Sequence, residues 1–271
     1  MKQTTTMTAL DAAAQAATQA GAETECMTLD QCLRRRGQGP RPGVLVVRVE
    51  PGQATDVAAL RWLAPGGVSP LVLAPSTFGE SIELAARAAL FAKLAQTTTV
   101  VLLEHEIAEL EGTWRPPDQV KPGALAPLPP LDPLLSAPER DLRTLALRME
   151  QAPLLSRFEP DLDAAAKAEW LVISFGSACD AARAAASQAR ATGQRVGHLM
   201  LQTLWPLPEA PILHAARGVK HVVVPERNLG QYVHEIRRLL PTLMVIPAHA
   251  VPGPVSTALI LDRLQKTPRC C

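Results

Sequence analysis

Aromatic residues are scarce in this chain: Phe, Tyr and Trp together make up 3% of 271 residues. That argues against the stacking platforms on which proteins hold single-stranded nucleic acid. Excess charge is missing too. The formal net charge is +1, and the short basic run Arg34-Arg-Arg36 reads as a solvated surface rather than a nucleic-acid stripe. No apolar run approaches the ~18 residues of a membrane span, and the opening Met1-Lys-Gln-Thr-Thr-Thr6 has no signal-peptide core. The expectation is a cytoplasmic protein with no membrane and no nucleic-acid partner. The five cysteines, Cys26, Cys32, Cys179, Cys270 and Cys271, form no CxxC pair and no cluster of the kind that holds zinc or an iron–sulfur centre. No metal site is assigned, and any redox centre is expected on another chain. Cys270-Cys271 read as loose thiols, with a metal or partner contact as the alternative. A P-loop and GxGxxG are also absent.

What is present is apolar and aliphatic. Hydrophobic residues reach 47%, mostly Ala, Leu and Val, which suits helices packed on sheets and excludes wholesale disorder. The chain is organised around Val222 to Leu240. Val222-Val-Val224 is a short β-branched run, long enough only for a strand buried on both faces. Pro225 is expected to end it, because proline cannot donate to a ladder. Glu226-Arg-Asn-Leu-Gly230 is a polar turn in which Asn228 supplies a helix cap and Gly230 close backbone approach. Tyr232, Val233, Ile236, Leu239 and Leu240 then fall on a helical stripe. In open α/β sheets such strand–turn–helix corners lie at the carboxyl edge, where sites are built. A turn that merely caps its helix is the alternative.

Taken in order, Leu10–Ala22 reads as a weakly amphipathic Ala-rich helix and Thr28–Arg36 as a second, with Thr28 as its cap. Gly37–Gly43 is rich in breakers, and Val44–Val49 is a strand. The polar Glu50-Pro-Gly-Gln-Ala-Thr-Asp56 after it reads as a structural turn. Pro70–Pro75 is a buried strand, Ser76 or Thr77 caps a long helix with Glu80 at capping-box spacing from Thr77, and Thr97–Leu103 follows as a strand. This is a βαβ unit with parallel strands. Glu104-His105-Glu106 lies past its end. The residues admit a metal or acid–base site, but no third partner is visible and a solvated loop is the preferred reading. Gly112–Pro133 is Pro-rich and reads as a linker, with a helix over Glu139–Met149. The second half begins with a helical approach over Leu162–Ala168. It continues with Trp170–Ser174, the turn Phe175-Gly-Ser177, an Ala-rich helix over Ala178–Ala191, the strand Val196–Leu201, the loop Thr203–Pro208 and a last strand over Leu243–Ile246. It closes as a compact parallel-sheet domain.

Three of these segments carry a resemblance. Trp170-Leu-Val-Ile-Ser-Phe-Gly-Ser177, Leu199-Met-Leu-Gln-Thr-Leu-Trp-Pro-Leu-Pro208 and Val222–Gln231 resemble core domain II of the 2-oxoacid:ferredoxin oxidoreductase alpha subunits, in order and in spacing. Gly253–Ile260 is similar to that family's closing loop and helix. The resemblance implies a transketolase C-terminal-like fold over the second half. It makes Gly176, Ser177, Glu226, Asn228, Gly230 and Gln231 family-motif turn or interface positions, with no catalyst or cofactor ligand assigned among them.

The first half resembles the last part of the family's thiamine-diphosphate pyrimidine-binding domain. Leu71–Ser76 and Val100–Glu104 match it, while Glu50–Asp56 stands where the family has an Arg-Gly-Gly-Pro-Ser-Thr-Gly loop. The early segments, including the glutamate that activates the cofactor's aminopyrimidine, have no counterpart before Cys26.

The fold expected is therefore α/β, a partial pyrimidine-type domain over 1–111, a Pro-rich linker over 112–160 and a transketolase C-terminal-like domain over 161–271. The function implied is that of an alpha-type subunit. Its complex would convert a 2-oxoacid and coenzyme A to acyl-CoA, CO2 and reduced ferredoxin. Thiamine diphosphate, Mg and an iron–sulfur cluster would enter with a beta-type partner subunit. The alternative is a non-catalytic scaffold or regulatory subunit of such a complex.

Overall fold

The β-branched runs become strands of two parallel sheets. The structure, a computed structural model, describes residues 6–35, 41–117, 125–159 and 168–265. Arg36, residues 37–40, residues 162–167 of the expected helical approach, and Cys270 and Cys271 lie outside them. The chain divides into two compact units. One holds residues up to Glu50, Ala58–Leu154 and Thr203–Leu207; the other holds Pro51–Val57, Leu155–Gln202 and the chain from Pro208 on.

In the first unit, β1 (Thr6–Thr8) leads into α1 (Ala9–Gln19), then β2 (Thr24–Thr28), α2 (Leu29–Leu33) and β3 (Gly43–Arg48). After α3 (Val57–Arg61) come β4 (Leu71–Leu73), α4 (Phe78–Ala95), β5 (Thr98–Leu103), α5 (His105–Ala108), β6 (Glu111–Thr113) and α6 (Ala137–Met149). The sheet order is β10-β4-β5-β3-β2, with β10 (Thr203–Trp205) antiparallel to β4 and the others parallel. β1 and β6 form a separate antiparallel pair.

Several elements depart from what the sequence suggested. α1 is not weakly anchored. Ala9, Ala12, Ala13, Ala16 and Ala17 are buried where it packs on α4, because small side chains let two helices approach closely. β2 lies between the two expected helices, where no strand is expected; its Thr-Glu-Cys-Met-Thr sequence suits an edge strand that is partly solvated. Residues 203–205 are a strand rather than a loop, and Arg61 lies over the rings of both Trp62 and Trp205, at 4.8 and 5.0 Å. The helix expected over Glu139–Met149 is α6, which opens two residues earlier on a capping box between Ser136 and Glu139.

The second unit begins with β7 (Ser156–Glu159), and continues with β8 (Trp170–Phe175), α7 (Ala178–Ala191), β9 (Val196–Leu201), α8 (Glu209–Ala215), β11 (His221–Glu226), α9 (Gln231–Leu239), β12 (Met244–His249) and α10 (Thr257–Gln265). Its sheet runs β12-β11-β8-β9-β7, all parallel except β7. The core on one face joins Val172, Val196 and Val223 to the alanines of α7 and to Ile260 and Leu264 of α10. β11 does not stop before Pro225. Its ladder to β8 ends at Val223, while pairing with β12 continues through Pro225 to Glu226. Proline is tolerated there because the strand is paired on one side only. Among the described residues no helix is long and apolar enough to cross a membrane.

Candidate functional site

β8 and β11 are parallel neighbours, so their following turns come out at the same carboxyl edge, where α/β sheets place ligands. After β8, Gly176 takes a positive φ of 53°, and its carbonyl accepts a hydrogen bond from Cys179 N at 3.2 Å. Ser177 stands at the head of α7 and makes no capping bond with its side chain. After β11 comes the Glu226–Gln231 turn. Phe175, last in β8, meets Tyr232 of α9 edge to face, with ring centroids 5.2 Å apart, which joins the two corners through apolar contact.

The turn is buried to an unusual degree for a polar sequence. Glu226, Arg227 and Asn228 are 0%, 2% and 1% exposed, whereas Leu229 at its tip is 79% exposed. Such burial requires every polar group to find a partner. The Glu226 carboxylate accepts backbone N–H bonds from Tyr232 (2.9 Å) and Val233 (3.1 Å). The Asn228 carbonyl oxygen accepts from Gly230 N and Gln231 N, each at 2.9 Å. Together they satisfy N–H groups that the first turn of α9 leaves open. Gly230 has φ +98°, and a Cβ there would stand 2.8 Å from His249 Nε2. Glycine is therefore required twice over, by conformation and by space.

Burial pushes the Glu226 carboxyl above its ordinary value, against the pull of the Tyr232 and Val233 N–H groups. His249 Nε2 lies 4.0 Å from Glu226 Oε1. Burial, then the charges of Arg237 and Arg263, push the His249 imidazole down, so at neutral pH this contact is not an ion pair. The chemistry of the turn is anchoring: two side chains hold the start of a helix, and neither carries a free acid or base at a solvent-open position. Sequence reasoning missed His249, which has no local signal and enters only because β12 lies beside β11.

A second polar group lies below the Gly176–Ser177 turn. Ser174 Oγ sits 2.7 Å from His198 Nε2 and 3.4 Å from Cys179 Sγ. All three residues are buried, so a substrate does not reach them. They link β8, β9 and the first turn of α7 through the core.

In the first unit, Glu104 is buried rather than solvated, and its carbonyl accepts the Ile107 and Ala108 N–H bonds at 2.9 Å. Among the described residues no group of three His, Cys, Asp or Glu side chains is placed to hold a metal. An open cleft of about 690 Å³, solvent-filled mouth included, lies at the opposite, amino edge of this sheet, lined among others by Glu25, Arg35, Arg41, Leu63 and Thr98. Arg35 binds Glu25 at 2.9 and 2.7 Å and its hydrogen bond lowers the Glu25 carboxyl.

These corners lie within a stretch that is similar to known proteins. Residues 168–254 match pyruvate:ferredoxin oxidoreductase core domain II. The 2-oxoglutarate synthase subunit KorA of Methanothermobacter marburgensis is 38% identical over 72 residues, which are 27% of this chain and 19% of that protein. The 2-oxoglutarate oxidoreductase subunit KorA of Mycobacterium tuberculosis is 28% identical over 219 residues, covering 63% of this chain and 32% of its own. This chain therefore spans less than a third of either relative's length. In fold it is similar to the 2-oxoglutarate:ferredoxin oxidoreductase of Magnetococcus marinus, solved with 2-oxoglutarate, coenzyme A and succinyl-CoA bound. The TM-score is 0.73 at 17% identity, over 95% of this chain and 56% of that one. A split-gene transketolase, an inactive β4 tetramer, is more distant, with a TM-score of 0.53 at 15% identity over 82% of this chain and 65% of that one. Residues 168–254 thus match core domain II of pyruvate:ferredoxin oxidoreductase, and parts of the chain are similar in sequence to 2-oxoglutarate synthase subunits.

Proposed function

We propose that this chain is an alpha-type subunit of a 2-oxoacid:ferredoxin oxidoreductase complex. The observation that carries the reading is the core domain II match over residues 168–254, whose two corner turns stand side by side at the sheet's carboxyl edge. The reaction cleaves the bond between the carboxylate and the keto carbon of a 2-oxoacid and releases CO2. The acyl carbon passes to the thiol sulfur of coenzyme A, the thiol proton is released, and a pair of electrons passes to oxidised ferredoxin. Such chemistry in this family generally uses thiamine diphosphate and an iron–sulfur cluster; here a beta-type partner subunit would bring the cluster and hold the cofactor's diphosphate and Mg.

Thiamine needs a carboxylate on its aminopyrimidine. At the carboxyl edge of the first sheet, Glu80 is bound by Ser76 through N (2.8 Å) and Oγ (2.7 Å). Arg48 binds Glu50 (3.1 Å) and Glu109 (2.9 Å), and buried Glu104 is engaged as well. These side chains do not fit the cofactor, because each carboxylate already has a partner. This observation favours the second reading, a scaffold or regulatory subunit whose complex draws its thiamine site from other chains.

The test is to purify the chain with its beta-type partner and measure 2-oxoacid- and coenzyme A-dependent reduction of a dye. The expected outcome is that the complex is active and the isolated chain is not. A complex whose rate is the same with this chain left out makes it a scaffold, and failure of any beta-type chain to co-purify overturns both readings.

A further inference from the structure

The polar loop after β3 belongs to the second unit, and the turn after β11 holds it there. Thr55 is fully buried. Its N–H donates to the Arg227 carbonyl at 2.9 Å, and its carbonyl accepts from Asn228 Nδ2 at 3.1 Å and from Val57 N at 2.9 Å. Thr55 is therefore paired to residues 227 and 228 through both its backbone groups, as one residue of an added strand would be. On the other side of the same turn, Ala250 N donates to Glu226 O at 3.2 Å. The turn is stitched on both flanks.

We infer that Asn228 is a positioning residue, whose carbonyl starts α9 while its amide fixes the Pro51–Val57 loop. The residue type carries the argument. A cap alone is served about equally by Asn, Asp or Ser, since each offers an oxygen to the open N–H groups. Only an amide also offers a donor, and the Thr55 carbonyl takes it. An Asp at 228 would keep both accepting bonds, lose the donated one, and bury a carboxylate two positions from Glu226. Polar loops without such a tie are the mobile parts of a fold. Fixing this one preorganises Gln53 and Asp56, both half-buried, at the edge where the two family turns emerge. A group held in place before binding contributes more than one ordered during it. The latch itself rests on the hydrogen bonds above; only its bearing on turnover rests on the oxidoreductase reading.

The experiment is backbone hydrogen exchange on the full chain carrying Asn228→Ser, Asn228→Asp or Asn228→Ala. Ser and Asp keep an accepting oxygen, so amides 230–233 stay protected as in the parent, while amides 53–57 exchange on the order of tenfold faster, as expected for one lost buried hydrogen bond. Ala speeds both segments. If Ser and Asp leave 53–57 at the parent rate, or speed both segments together, or both fail to fold, the separate role of the amide is wrong. In the active complex Asn228→Ser is expected to lower kcat with the recovery of complex unchanged. An unaltered kcat beside a freed loop overturns the positioning role. An inactive parent complex instead removes the oxidoreductase reading and leaves the exchange result to decide the latch.

Discussion

Glu226 brings a carboxylate to a place without solvent, and its two N–H partners do not fully offset the loss of water. Burial raises its folded-state carboxyl above the ordinary 4.5, so the folded protein keeps that proton to a higher pH than the unfolded chain. The resulting stability is fully present below the ordinary value and is lost as pH rises through the raised one. The stability of the parent relative to Glu226→Gln is therefore expected to fall as pH rises above the ordinary 4.5 in paired urea titrations. A pH-independent difference would show that the carboxyl is not raised. Beside it, Gly230→Ala is expected to destabilise by about 2 kcal/mol, from a positive φ and the close approach of a Cβ to His249. Adding His249→Ala should recover part of that loss and leave the backbone part. The capping role of Asn228 was legible in the sequence, since an amide oxygen just before a helical stripe serves as its cap. The loop bond was not, because Asn228 and Thr55 are separated by 173 positions and no local pattern links them.

At the scale of elements, long apolar runs between breakers were legible and short edges were not. β3, β5, β8 and β9 announce themselves by β-branched and aliphatic residues that need burial on both faces. β2, β7 and β10 are short or at a sheet edge, and each owes its conformation to a partner strand; β10 pairs with β4 about 130 positions earlier, beyond the reach of periodicity. Helix starts were read with more success than their details. Thr77 caps α4 by accepting from Glu80 N at 3.1 Å, as its spacing suggested, yet the Glu80 carboxylate turns back to Ser76 rather than to Thr77. α4 is the longest helix described and packs on α1, so its start matters to the first unit. Thr77→Ala is expected to lower stability by about 1 kcal/mol, measured by chemical unfolding. A change within error would mean that Ser76 and Glu80 hold the helix start without it.

The whole molecule separates two kinds of family resemblance. The second unit matches core domain II over residues 168–254, and its β11 corner is held by Glu226 and Asn228 on the N–H groups at the start of α9. The first unit has a mostly parallel sheet, but Glu80, Glu50 and Glu109 at its carboxyl edge are paired with Ser76 and Arg48. An open cleft of this unit lies at the amino edge of the sheet. A cofactor that needs a free carboxylate is therefore expected not to bind the isolated chain. Ligand at a hundred times its Kd stabilises a folded protein by about 2.7 kcal/mol, which for a domain of this size raises Tm by roughly 5–10 °C. Thiamine diphosphate with Mg2+ is expected to leave the Tm of the isolated chain unchanged within about 1 °C, and to raise it for the complex with a beta-type partner. A shift of several degrees in the isolated chain would mean that one of the engaged carboxylates gives up its partner to the cofactor. Repeating the titration on Glu80→Gln and Glu104→Gln would then identify which one.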